Sequence, residues 1–231
     1  MMATETAVAS ELPALQGGQQ LWPLSAWDRL AVLIAREWPR PLPLLAALAA
    51  WTEREGELEL PLLLLRPDEA ATARALLREM ESLGLATLLA TDERMEQVRL
   101  RLGDGEAREW LRRRWRQRLA GLVMLEGLGE GWQGITGARV EPGEWGEAEL
   151  DVVVWNGRGA LWVCCLLDLS LPRAEAAGRL GRALGLEKRA LLCLLPPNRS
   201  EGARAQRAFG GPVLTLPELG QWAVAQWRAG A

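Results

Sequence analysis

The sequence predicts an α/β chain in two parts, a small helical module with a β-hairpin over 21–103 and a mixed-sheet domain over 104–231. Three observations predict it. The stretch from Glu147 to Leu169, EAELDVVVWNGRGALWVCCLLDL, reads as two strands, 148–155 and 159–169, around Asn156-Gly157-Arg158-Gly159. Asn-Gly supplies the positive φ angles that a tight hairpin needs. Gly103-Asp104-Gly105 separates two patterned regions and marks a domain boundary. Finally, helix, strand, strand, strand, helix, strand follow one another from 106 to 195, an order that gives a mixed sheet with helices on both faces.

Residues 1–20 are polar and rich in small side chains, and are expected to be mobile. Ser25 and Asp28 have the spacing of a capping box, opening a helix in which Trp27, Leu30, Leu33, Ile34 and Trp38 recur at helical spacing. Pro39, Pro41 and Pro43 stop it. A second helix is expected from Leu44 to about Glu53, ended by Gly56, and a short strand over Leu58 to Leu65. Pro67 and Asp68 open a third helix carrying Leu76, Leu77, Met80 and Leu83, closed by Gly84. Leu85–Ala90 and Met95–Leu102 flank a polar turn as a hairpin. Three helices followed by a hairpin is the outline of a winged helix.

Beyond the boundary, 106–125 reads as one helix with Leu111, Trp115, Leu119 and Leu122 on one face and Arg112, Arg113 and Arg116 on the other. Glycines 127, 129, 131 and 134 break the chain before a strand at about 135–141. After the central hairpin, Pro172 and Arg173 begin a helix capped by Gly185, and 189–195 is a buried strand closed by Pro196 and Pro197. A helix at 201–208, a short strand at Val213 and Leu214, and a helix from Pro217 to Trp227 complete the chain.

Composition excludes more than it suggests. The 231 residues contain no His and no Tyr, and Lys188 is the only lysine. Ser-His-Asp triads, histidine general bases, histidine zinc sites and GxxxxGKS phosphate loops are therefore absent. Carboxylates, Ser/Thr, Cys and Arg remain for chemistry. A net charge of -3 argues against a general phosphate binder, while local basic faces stay open. Cys164, Cys165 and Cys193 lie in apolar runs without CxxC spacing and read as reduced core thiols; adjacent strand positions point to opposite faces, so Cys164 and Cys165 are poor joint ligands. No apolar run reaches the ~20 residues of a membrane span, and the N-terminus lacks a basic start and apolar block, so no membrane association and a cytoplasmic location are expected.

Asp151 stands among Val152, Val153 and Val154, where a carboxylate is costly to bury without a partner. It has either a ligand or a structural partner. Its surroundings, Glu149-Leu150-Asp151-Val152, the turn 156–159, and Leu161-Trp162-Val163-Cys164-Cys165-Leu166, resemble the PD-(D/E)XK, or restriction-endonuclease-like, fold. The likeness is greatest to the C-terminal nuclease domains of CRISPR-associated effectors that join a cyclic-oligoadenylate sensor (CARF) domain, through a winged helix, to this nuclease. In that family the second strand reads roughly E-L-D-V and the third roughly L-x-V-x-E-C-K. The resemblance spans 106–230 and, more loosely, the module before it. It implies prokaryotic antiviral defence as the setting.

The departures imply a pseudonuclease. Asp151 falls on the family's metal-binding aspartate, Cys164 on its glutamate, Cys165 on its cysteine and Leu166 on its lysine. A Mg²⁺ site of this type draws carboxylates from both strands, and the lysine offsets developing charge. With Cys164 and Leu166 at these relic positions, catalysis by the family mechanism, and a bound metal, are not expected. The alternative is an active nuclease with a displaced site, in which Asp151, Asp168 and Glu149, with Glu147 nearby, hold Mg²⁺ or Mn²⁺; Lys188 approaches only from the neighbouring strand. No cofactor is expected otherwise. The segment before Ser25 is too short for a sensor domain, so cyclic-nucleotide sensing is not carried over.

For binding, Arg112, Arg113 and Arg116 beside Trp110 form a candidate nucleic-acid surface, a solvated face or a protein interface. Trp145, Trp222 and Trp227 are candidates for partner contact, and a homodimer is compatible with a Trp-rich surface. A third reading, a winged-helix DNA-binding regulator, rests on Arg74 and Arg78 of the third helix against its Asp68, Glu69, Glu79 and Glu81. The expected function is thus a catalytically inactive nuclease-like subunit that holds nucleic acid or a partner protein.

Overall fold

The computed structural model describes residues 16, 18–51, 56–91, 96–141 and 148–228. Its backbone divides into two compact units, one comprising the described residues up to Pro23 together with those from Arg116 onward, the other Leu24–Trp115.

In the Leu24–Trp115 unit, α1 (Asp28–Glu37) begins where the Asp28 carboxylate accepts the Ser25 N–H at 2.6 Å, so the expected box closes from its acidic side alone. α2 (Leu42–Trp51) follows. β2 (Glu57–Pro61) is shorter than the expected strand, because Pro61 has no N–H to extend the ladder and the chain turns into a 3₁₀ segment at Leu62–Leu64. α3 (Pro67–Ser82) starts where the Arg66 N–H donates to Glu69 Oε2 at 3.0 Å and its guanidinium to Glu69 Oε1 at 2.7 Å, and Gly84 ends it in the left-handed region at φ 71°. β3 (Ala86–Thr91) and β4 (Gln97–Leu102) form the expected hairpin, whose turn lies outside the described residues. β2 also pairs with β4, giving a three-stranded antiparallel sheet β2-β4-β3.

The expected 106–125 helix is α4 (Gly105–Glu109), a π-helical turn at Trp110–Arg114, and α5 (Trp115–Leu128). Asp104 caps the start, accepting the Ala107 N–H at 3.0 Å. A π turn closes i→i+5 rather than i→i+4 bonds, bringing residues five apart onto one side. Trp110 and Trp115 are five apart, and both are buried. The unit division falls here, at Trp115, whereas Gly103 and Gly105 mark where the helical run begins.

The larger unit is built on a six-stranded mixed sheet, ordered β1-β5-β6-β7-β8-β9. Its members are β1 (Gln19–Gln20), β5 (Gln133–Val140), β6 (Ala148–Asn156), β7 (Gly159–Leu166), β8 (Arg189–Cys193) and β9 (Val213–Leu214). β1, β5, β6 and β7 run antiparallel to their neighbours; β8 and β9 join in parallel. α6 (Leu171–Ala183), α7 (Arg199–Phe209) and α8 (Leu216–Arg228) complete it. Trp162, Cys164, Leu166, Leu191 and Cys193 of the sheet share a buried core with Ala174 of α6 and Ala205 and Phe209 of α7. The order α5-β5-β6-β7-α6-β8 is the one the sequence predicts.

Three expectations are corrected. The described part of the N-terminus is tied down: Gln19–Gln20 pairs with β5, and Gln16 exchanges backbone bonds with Arg139 at 2.9 and 2.8 Å, satisfying what is otherwise an open sheet edge. The 156–159 turn does not rest on a left-handed Gly157. Instead Asn156 Oδ1 accepts the Arg158 N–H at 2.9 Å, an Asx turn. β7 ends at Leu166, its last residue paired with β8; the Leu166 and Leu167 carbonyls still accept the Leu194 and Leu195 N–H groups at 3.0 and 2.7 Å, and the expected strand over 168–169 is absent.

Candidate functional site

The hairpin strands are rich in Val, Leu and Trp and are buried as the sequence requires, which makes Asp151 the exception to explain. Pairing between β6 and β7 runs from Asn156↔Gly159 to Val152↔Val163 and stops there. One residue further on, the backbone N–H of Cys165 donates to Asp151 Oδ2 at 2.8 Å. The side chain takes the place of the carbonyl that the parted strand no longer offers.

The other oxygen is held from α5. Gln117 Nε2 donates to Asp151 Oδ1 at 2.7 Å and to Glu149 Oε1 at 3.0 Å, so one amide bridges two carboxylates. Gln117 is buried, as are Arg118, Leu119 and Ala120 after it. Gly137 of β5 lies beside the bridge with φ 65°; a Cβ there would sit 3.4 Å from Glu149 Oε1 and 3.5 Å from Gln117 Oε1. Burial pushes the Asp151 carboxyl above the usual aspartate value, against the opposing donors from Cys165, Gln117 and Cys164, and the Glu149 charge adds to the rise. Burial, with the Asp151 charge behind it, also holds the Cys164 and Cys165 thiols well above their ordinary range. Cys193 is pushed up to about 12 by burial and by the Asp168 charge. None of the three is a thiolate at neutral pH.

The structure thus brings Asp151, Glu149 and Cys164 together. Leu166 is buried in the core. Asp168 is exposed in a bend beyond the end of β7 and does not lie on a strand face with Cys164, because the sheet has ended. Glu147 lies outside the described residues. Lys188 spends its ammonium on the Gln226 carbonyl of α8 at 3.4 Å. Among the described residues no group of three or more His, Cys, Asp or Glu side chains is placed to hold a metal ion. A Mg²⁺ or Mn²⁺ ion needs several oxygen ligands in near-octahedral array. Among the described residues the donors at this point are two carboxylates that share one amide and a buried, protonated thiol, fewer oxygens than such an ion takes.

The basic candidates separate. Arg112 donates from Nε to Glu109 Oε2 at 3.1 Å, and Arg113 pairs with Glu109 Oε1. Burial would raise Glu109, but these bonds and charges override it and hold its carboxyl low. Trp110 is buried edge-on against Trp27, with ring centroids 6.2 Å apart, and offers no stacking surface beside them. Arg116 is held below the ordinary arginine value by burial; the negative charges it faces belong to Cys165 (when ionised), Asp151 and Asp168, and Arg173 repels it. Each candidate arginine therefore has carboxylate neighbours of its own.

Trp227 is half-buried, edge-on to Trp132 at 5.1 Å with Arg158 5.9 Å from its ring; Trp222 is half-buried, and Trp145 lies outside the described residues. On α3, Arg78 is exposed and Arg74 half-buried, while Asp68 lies 3.5 Å from Arg40. Gln117, Gly137 and Arg118 were not singled out by sequence reasoning. Gln117 sits within the polar run Arg116-Gln117-Arg118 that precedes the apolar part of α5, so nothing in the sequence distinguishes it.

No family model matches the chain, and no curated protein matches it. Solved structures do. Protein VC1899 from Vibrio cholerae is 17% identical, with a TM-score of 0.59 over 93% of this chain and 59% of that one. Can2 from Sulfobacillus thermosulfidooxidans, solved in complex with cyclic tetra-adenylate, is 11% identical, with a TM-score of 0.61 over 96% of this chain and 60% of that one. These likenesses establish a shared mixed α/β, nuclease-like fold. The chain spans about three fifths of the length of each. Among the described residues no helix is long and apolar enough to cross a membrane.

Proposed function

We propose that the chain is a catalytically inactive, PD-(D/E)XK-like subunit with a winged-helix-like module over 21–103, acting in CRISPR-linked or other antiviral defence by holding nucleic acid on the face around Asp151. The observation that carries the reading is the bridge itself. Asp151 has one oxygen on the Gln117 amide and the other on the Cys165 N–H, so the carboxylate that the family uses for a metal serves here as a structural acceptor. No cofactor is required.

A nucleic-acid ligand is supported by Arg116 and Arg173, whose like charges are close enough to perturb one another beside this site, and Arg173 is exposed. Arginine pairs of this kind suit phosphodiesters. The displaced-site nuclease has less support, since Asp168 stands off the sheet. The winged-helix regulator has less too, since the acidic start of α3 would repel phosphate.

The test is fluorescence anisotropy of labelled single-stranded and duplex DNA and RNA across a salt series. Salt-sensitive binding is expected, with the slope of log affinity against log salt reduced by about one in Arg173→Gln. Absence of salt-sensitive binding to every probe would replace nucleic acid by a protein partner.

A further inference from the structure

We infer that the larger unit carries a second anion site, remote from Asp151, that takes a phosphate-bearing ligand through Arg182, Arg189 and Arg207 where α6 and α7 end. Arg189 opens β8, paired with Trp162, whereas Cys165 and its Asp151 bond lie three residues further along β7, about 10 Å away.

Arg189 is fixed by its surroundings. Its Nη1 donates to the Leu186 carbonyl at 2.7 Å and its guanidinium lies 5.8 Å from the Phe209 ring centre. Two glycines make room for it. A Cβ at Gly181 of α6 would sit 2.8 Å from Arg189 Cδ, and one at Gly210, the left-handed cap of α7, would sit 2.9 Å from Arg189 Nη2 and 3.6 Å from Arg182 Nη1. Two guanidinium groups therefore converge on one point beside Gly210. Burial first, and Arg182 second, hold Arg189 below the ordinary arginine value. Its Nε is buried with no acceptor.

Among the described residues neither Arg182, Arg189 nor Arg207 pairs with a carboxylate. Arg182 and Arg207 occupy the last turns of α6 and α7, and cations there offset helix dipoles. That offset is too small to account for the cluster. Each helix end carries roughly half a negative charge, so two ends leave about two of the three positive charges uncompensated. Next to them lies a surface recess of about 610 Å³ lined by Ala203, Gln206, Arg207, Gly210, Gly211 and Pro212, room for a phosphate and part of what it is attached to. A preorganised arginine with unused donors, Arg182 of the same charge beside it at Gly210, and an adjoining recess lined by Arg207 is the chemistry that recognises phosphate.

The full chain would be titrated calorimetrically at low salt with inorganic pyrophosphate and, separately, with a short single-stranded oligonucleotide. Pyrophosphate is expected to bind. The double variant Arg182→Gln/Arg207→Gln, both exposed positions, is expected to lose affinity about tenfold with its far-UV circular dichroism unchanged, while Arg36→Gln, an exposed arginine of α1, leaves pyrophosphate affinity as it was. A loss confined to pyrophosphate identifies a free phosphate compound as the ligand, and a parallel loss for the oligonucleotide identifies a nucleic-acid backbone; both sustain the site. No pyrophosphate binding at millimolar concentration, or the same affinity in the double variant, overturns it. The second result would leave the arginines as dipole partners alone.

Discussion

Asp151 shows how neighbouring donors satisfy a carboxylate in a β-sheet. Its two bonds replace water on both oxygens, yet burial still raises its pKa, so the ionised form is held at a net cost. As pH falls, the folded chain takes up this proton before the unfolded chain does. Asp151 therefore adds stability as pH drops from its raised folded value toward the usual 3.8, and that increment is lost again on going up. Asp151→Asn can still accept the Cys165 N–H and buries no charge. It is expected to match or exceed the wild type at neutral pH and to lack the acid-side increment, as read by urea unfolding at successive pH values. Asp151→Ala leaves the Cys165 N–H without its side-chain acceptor and the Gln117 amide with Glu149 alone, and is expected to cost about 1–3 kcal/mol. Equal stability of the Ala variant would remove the structural role. The sequence made Asp151 legible, because a carboxylate among three valines needs a partner. It did not disclose the partner: Gln117 is 34 positions away, and an amide in a helix carries no mark of what it will meet.

At the scale of elements, the hairpin and the helix order were readable from turn residues and apolar periodicity, and the structure keeps them. Pairing lengths were not. Whether 167–169 continue β7 depends on how far β8 accompanies it, which is a property of the neighbour. The N-terminus escaped for a similar reason. Gln19–Gln20 has no strand pattern, and it is ordered by the β5 edge and by Arg118, which is buried and donates to the Gln20 carbonyl at 2.5 Å and the Leu21 carbonyl at 3.2 Å. Leu21 then fills the space left by two glycines: a Cβ would come within 2.6 Å of it at Gly121 and 2.3 Å at Gly134. Gly121→Ala is accordingly expected to cost about 1–3 kcal/mol through overpacking. Adding Leu21→Ala, itself costly as a cavity, should recover part of that penalty, so thermal or urea unfolding of the cycle should give a favourable coupling. Strictly additive losses would show that Leu21 does not pin α5 to the sheet. The π turn at Trp110–Arg114 was likewise hidden, since Trp110 and Trp115 fit the apolar count of an ordinary helix.

For the whole molecule, the mixed sheet and its helices reproduce a fold found in larger proteins, and the chain spans about three fifths of two of them. On this fold the Asp151 carboxylate is bonded by Gln117 and Cys165, and the proposed loss of catalysis rests on that arrangement. The most direct measurement is a cleavage assay on labelled single-stranded and duplex DNA and RNA with Mg²⁺ or Mn²⁺, comparing the wild type with Asp151→Asn. No metal-dependent cleavage is expected from either protein. Cleavage by the wild type that requires metal and disappears in Asp151→Asn would contradict the account and make the Gln117 bridge the resting state of a working nuclease.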